Sequence, residues 1–179
     1  MATKSTVYKV ELIVSDMDRN YYATHNLVLA QHPSEPERRL MARLIVFALF
    51  ADERLEFGRG ISSDDEADLW RTDLTGGIEQ WIELGQPDES NIRKAAGRSK
   101  QVVVVTYSGN SAEVWWSKNA AALAKVKNLS VLDLDPDALD QATRLLDRSM
   151  KLSASIQEGE LQLSSDTETV VLTPRTRTP

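Results

Sequence analysis

Cysteine is absent from this 179-residue chain and histidine occurs only twice. The first absence excludes disulfides, thiolate zinc sites and cysteine nucleophiles; the second leaves little room for a histidine-built metal site. Oxygen ligands remain for any cation. No apolar run reaches the roughly 18 residues of a membrane-crossing helix, and the start, Met1-Ala2-Thr3-Lys4, leads into an alternating segment. A soluble cytoplasmic protein without a membrane partner is the expectation. Serine-nucleophile logic fails for want of a G-x-S-x-G elbow, and no glycine-rich phosphate loop follows any strand. With 8 Gly and 6 Pro the chain is neither collagen-like nor disordered.

What is present is an ordinary globular composition, 41% hydrophobic and 27% charged. A chain of this length buries roughly 70% of its unfolded surface, so no metal or crosslink is needed to hold a core. Lys and Arg number 21 against 27 Asp and Glu, a net charge of −6, which argues against wholesale electrostatic binding to nucleic acid but permits a local basic patch.

Val10, Leu12 and Val14 alternate, as do Ala23, His25, Leu27 and Leu29, with a polar stretch from Ser15 to Asn20 between them. The two runs read as an antiparallel hairpin. Ser34, three residues before Glu37, has capping-box spacing and predicts a helix whose wide apolar face carries Leu40, Leu44 and Phe47. A short strand at Arg54 to Phe57 precedes a polar loop that includes Gly58, Gly60, Ser62, Ser63, Asp64 and Asp65. Ile78 to Leu84, bounded by Gly76 and Gly77 on one side and by Gly85 and Pro87 on the other, fits a strand better than a helix of that length. Helices opening at Asp88, Asn110 and Asp135-Pro136 alternate with strands at Val102 to Val105 and Leu129 to Leu134, and the chain alternates again after Met150. This order predicts a single α/β domain over residues 1–179: a mixed central sheet flanked by helices, with β-hairpins at both ends of the chain and a frayed tail at residues 174–179. Trp115 and Trp116, adjacent on a helix, place one ring in the core and one half out.

The strand reading sets Glu79 and Glu83 on one face, about 13 Å apart, too far for one ion whose oxygen ligands lie at about 2.0–2.6 Å. The turn at Asp73 to Gly77 folds Asp68 back towards Glu83, and Lys94 lies one helical turn into the next element. An acidic pair plus a lysine is what metal-assisted phosphodiester hydrolysis needs: carboxylates for a hard divalent cation and an ammonium for the water and the developing charge. Each residue also has a plainer reading. Asp68 suits a turn cap, Glu79 a salt bridge, Gln86 a loop bond, Lys94 a solvated helix face, and Glu35 a helix first turn, where the macrodipole favours an acid. Arg38, Arg39 and Arg43, with Arg93, Lys94 and Arg98, are the candidate phosphate-facing residues. His25 and His32, each lacking a spaced companion ligand, read as structural.

The stretch Trp81-Ile82-Glu83-Leu84-Gly85-Gln86-Pro87-Asp88-Glu89, with Ile92, Lys94 and Ala95 behind it, resembles the YaeQ family. So do Asp18-Arg19-Asn20, His32-Pro33-Ser34-Glu35, Phe47-Ala48-Leu49, Ala51-Asp52-Glu53-Arg54-Leu55, Ala112 to Trp116 with Asn119, and Asn128-Leu129-Ser130-Val131. The resemblance spans nearly the whole chain. It implies a variant of the PD-(D/E)XK nuclease superfamily with a restriction-endonuclease-like fold, in which Asp68 and Glu83 are the metal-binding acids and the Leu84 carbonyl is an additional ligand. Gly85 stands where that pattern places its lysine, and Ala67 stands where it places proline; Gln86 or Lys94 would then orient the water. The expected activity is Mg²⁺- or Mn²⁺-dependent cleavage of nucleic acid bound through Arg93, Lys94 and Arg98. The alternative is a catalytically silent domain that binds nucleic acid or a protein partner in transcription or repair.

Overall fold

Alternation dictates the first hairpin, and a computed structural model, which describes residues 4–59 and 65–178, shows it. Strands β1 (Thr6–Asp16) and β2 (Tyr21–Gln31) pair antiparallel from Thr6↔Gln31 to Asp16↔Tyr21 without a bulge. Val10, Leu12 and Val14 are buried on the inner face. The elements that follow are α1 (Glu37–Leu49), β3 (Leu55–Phe57), β4 (Leu69–Thr72), β5 (Ile78–Leu84), α2 (Glu89–Arg98), β6 (Ser99–Thr106), α3 (Asn110–Leu123), β7 (Leu129–Asp133), α4 (Pro136–Ala142), β8 (Ser149–Gln157), β9 (Glu160–Ser164), β10 (Thr169–Leu172) and β11 (Arg175–Arg177). Gly60, Ser62, Ser63 and Asp64 of the expected polar loop lie outside the described residues.

The fold is mixed α/β, but the strands divide into two mixed sheets where one central sheet was expected. The chain correspondingly forms two compact units, residues 1–51 with 137–174 and residues 52–136 with 175–179. Both sheets have parallel and antiparallel neighbours, and among the described residues four α-helices accompany them.

The first unit orders its strands β10-β9-β8-β1-β2, with β8 parallel to β1. The turn from β8 to β9 has positive φ at Glu158 (51°) and Gly159 (75°), as a tight hairpin of primed type requires. Asp18 accepts the N–H groups of those same two residues at 2.8 Å, tying the first hairpin turn to the last. Its neighbour Arg19 donates to Asp16 and to the Ala51 carbonyl. The Asp18-Arg19-Asn20 motif therefore works as a clamp. Helix α1 is buried from Leu40 through Ala48, Arg43 included. Its expected capping box does not form. Pro36, held extended, is the residue before the helix, so Ser34 stands too far upstream and bonds His32 Nδ1 at 2.6 Å instead.

The second unit orders its strands β11-β7-β6-β5-β4-β3. β5, β6 and β7 run parallel because α2 and α3 supply the crossovers, and the flanking strands are antiparallel. Trp81, Ile92, Val102, Val104, Trp115 and Val131 make its core; Trp116 packs against it only partly buried. The expectation of a frayed tail is corrected: Arg175–Arg177 pairs with β7, and Arg177 is buried. Its guanidinium reaches Asp133 at 2.9 Å and Glu113 at 3.0 Å, and its Nε donates to Thr106 at 3.1 Å. Burial weighs against that charge, but the bonds to Glu113 and Asp133 more than offset it and keep the guanidinium firmly protonated. Among the described residues no helix is long and apolar enough to cross a membrane.

Candidate functional site

The β4–β5 hairpin decides where Asp68 goes. Asp73 Oδ1 accepts the Thr75 N–H, the Thr75 hydroxyl and the Gly77 N–H at 2.7–2.8 Å, closing a turn around its carboxylate. The hydroxyl bond foremost, followed by the two backbone bonds, holds the Asp73 carboxyl below the usual aspartate range. The turn sends β4 back along β5, with Leu69 opposite Ile82. Asp68, just before β4, then brackets Glu83. Its N–H donates to the Ile82 carbonyl at 3.0 Å, and its Oδ2 accepts the Leu84 N–H at 2.7 Å. A carboxylate this short of a backbone donor makes a strong charge-assisted bond. Asp68 is 8% exposed, a burial a lone carboxylate would not tolerate without such partners.

Gly58 locks the same segment from its other side. Its N–H donates to the Asp68 carbonyl at 2.8 Å, and a Cβ there would stand 2.0 Å from the Ala67 carbonyl oxygen. Only glycine lets the two backbones approach so closely.

Glu83 is half-buried, and its Oε1 accepts the Trp81 indole N–H at 2.7 Å. Trp81 and Glu83 thus share a face of β5, as alternation requires. The indole is itself fixed, 2% exposed and edge-on to Trp70 at 5.7 Å. Gly85 ends the strand with φ of 98° and donates its N–H to the Val105 carbonyl. Any side chain at this position would strain the backbone.

Gln86 donates to Ser111 Oγ at 2.9 Å, joining the loop after β5 to the first turn of α3. Lys94 sits on the exposed side of α2, where Ile92 and Ala95 face inward, and among the described residues it makes no ion pair with Asp68 or Glu83. On the same surface Arg93 pairs with Glu89 and Arg98 with Asp65. Glu79 is a salt-bridge residue, 3.0 Å from Arg71 and 3.9 Å from Arg54. Glu35 belongs to the first unit, where it binds Arg43 at 2.7 Å and Arg39 at 3.0 Å. Arg38 pairs with Asp140. His25 bonds the Tyr21 hydroxyl and meets Phe47 edge-on, a structural role like that of His32.

One polar cluster had no sequence signal: Thr106, Asp133, Arg177, Glu113 and Arg175, at the ends of β6 and β7. Its members are brought together by β11, three residues of strand with no hydrophobic pattern.

Asp68, just before β4, and Glu83, near the end of β5, offer two carboxylates from adjoining strand ends. Among the described residues no group of three or more His, Asp or Glu side chains gathers in metal-binding geometry. Two carboxylates suit a cation that keeps several waters and takes substrate phosphate oxygens, as Mg²⁺ does, and do not suit an all-protein cage.

The family described as YaeQ protein matches residues 1–174. The uncharacterized protein YaeQ of Escherichia coli strain K12 is 43% identical over 166 residues, covering 93% of this chain and 92% of that protein. The crystal structure of YaeQ protein from Xanthomonas axonopodis pv. citri superposes with a TM-score of 0.94 at 54% identity, covering 97% of this chain and 98% of that one. That of YaeQ protein from Pseudomonas syringae gives 0.92 at 32% identity, covering 98% and 97%. With the match running through both compact units, the chain belongs to the YaeQ family.

Proposed function

We propose that the end of the β4–β5 hairpin is a divalent-cation site of PD-(D/E)XK nuclease-like type that acts on nucleic-acid phosphodiesters. The observation that carries this reading is the bracketing of Glu83 by Asp68: bonds to the Ile82 carbonyl and from the Leu84 N–H set the Asp68 segment alongside Glu83 on the neighbouring strand. In this reading Asp68, Glu83 and the Leu84 carbonyl hold Mg²⁺ or Mn²⁺, which when bound supplies Lewis acidity to the scissile phosphate. Trp81 fixes the Glu83 carboxylate by its indole bond, and the Leu84 N–H fixes that of Asp68, so neither acid must reorganise on loading. Lys94 or Gln86 orients the attacking water, and Arg93, Lys94 and Arg98 receive the phosphate backbone. The test incubates the protein with single- and double-stranded DNA and RNA in Mg²⁺ or Mn²⁺, beside Glu83→Ala. Cleavage that needs the metal and Glu83 supports the proposal; no cleavage above the variant rejects it.

A second reading, a nuclease-like fold that binds nucleic acid or a protein without turnover, draws on Gly85. The superfamily's lysine position is here a residue with φ of 98° and no side chain. Nucleic-acid binding that persists in Glu83→Ala and without divalent ions favours it; binding lost on chelation removes it.

A further inference from the structure

Among the described residues strand β2 is the outer strand of the first unit's sheet and pairs only with β1. Edge strands are ordinarily kept short, bulged, or guarded by lysine or proline. β2 runs 11 residues in unbroken register and contains no Lys, Arg, Asp, Glu or Pro. The direction of its backbone groups follows from a single contact. Arg43 donates to the Ala30 carbonyl at 2.9 Å, so that carbonyl points away from β1. Backbone direction alternates along a strand, so the N–H and C=O groups of Tyr22, Thr24, Asn26 and Val28 point outward as well.

The inner face of the hairpin gives an independent sign of an open flank. Val10, Leu12 and Val14 of β1 are at most 2% exposed, yet their register partners Leu27, His25 and Ala23 on β2 are only half-buried. On the opposite face Tyr22 is 58% and Val28 63% exposed, among the largest apolar exposures in the chain.

We propose that β2 pairs antiparallel with β2 of a second copy about a two-fold axis, joining the two five-stranded sheets into one. Arg43 already occupies the Ala30 carbonyl, so the open set runs from Tyr22 to Val28 and is centred on His25. Pairing about that centre sets Tyr22 opposite the second copy's Val28 and Thr24 opposite its Asn26. Four such pairs exchange about eight backbone hydrogen bonds. Each exposed aromatic then covers an exposed β-branched residue, a favourable cross-strand pair, and an uncharged strand meets itself without like-charge contact. This self-complementarity is what selects a second copy over a foreign strand. Edge pairing alone buries less than a standard interface, so the dimer is concentration-dependent.

Sedimentation velocity over a dilution series tests the proposal on the full chain. The wild type should move from monomer to dimer as concentration rises. Val28→Lys should shift that midpoint upward at least about tenfold, or about 1.4 kcal/mol. Asn26→Pro should do the same, because it removes an outward N–H that β1 does not use. Both sites are exposed positions of an edge strand, where lysine and proline are tolerated, and thermal melts confirm folding. Val171→Lys, at a 48% exposed valine on β10, should leave the midpoint unchanged. A wild type that stays monomeric to its solubility limit overturns the proposal. So does a dimer that survives Val28→Lys, or one that Val171→Lys dissolves.

Discussion

The Asp68 carboxylate accepts the backbone N–H of Leu84 at 2.7 Å, so a side chain stands in where the strand ladder would otherwise supply a carbonyl. One residue thereby completes the end of β5 and presents an acid beside Glu83. Its two duties separate by substitution. Asp68→Ala leaves a buried N–H unsatisfied and should cost about 2 kcal/mol in urea unfolding. Asp68→Asn keeps an acceptor and should lose less than half of that. The proposed cation site predicts that added Mn²⁺ raises the melting temperature of the wild type and of neither variant.

Gly58 predicts a structural effect on that same acid. A Cβ at this position would press on the Ala67 carbonyl at 2.0 Å, and backbone cannot yield as a flexible side chain can. Gly58→Ala should destabilise by about 1–3 kcal/mol. It should also loosen the Leu84 amide, seen as faster hydrogen exchange there.

Arg43 and Glu35 form a buried pair, their side chains 3% and 5% exposed. Arg43→Ala leaves the buried Glu35 carboxylate with its Arg39 partner, strips the Ala30 carbonyl of the Arg43 donor, and should cost about 3 kcal/mol. The double variant Arg43→Met, Glu35→Gln should recover most of it, because no uncompensated buried charge remains. Equilibrium unfolding of the single and double variants decides the matter.

The strand β11 makes stability depend on pH. Hydrogen bonds from Arg177, then from Arg175, hold the Glu113 carboxyl below its usual range. Since the folded value lies below the unfolded one of about 4.3, the contribution is complete above that pH and is lost as pH falls through the folded value. Glu113→Gln should therefore be less stable than wild type near neutrality. The difference should shrink steadily below about pH 4.3 in acid denaturation profiles.

Local patterns were legible wherever burial on one face imposed a period. Alternation at Val10, Leu12 and Val14 located β1, and flanking glycines located β5 at Ile78–Leu84. The return of Asp68 to Glu83 was also readable, because a short turn at Asp73 leaves a hairpin few alternatives. Ser34 misled because its spacing to Glu37 says nothing about Pro36, which delays the helix. Arg177 was unreadable: its partners Thr106 and Asp133 are 71 and 44 residues away, and a strand of three polar residues has no hydrophobic signature.

The sequence by itself determined the class of most elements, the oxygen-rich choice of ligands open to any cation, and the family. Composition, period and motif are properties of neighbours along the chain. Only the tertiary structure decided that the strands form two sheets, that β11 returns to close the second of them, and that Gln86 serves Ser111 while Glu79 serves Arg71. Those outcomes turn on which distant groups satisfy one another's charges and hydrogen bonds, and no local pattern encodes that choice.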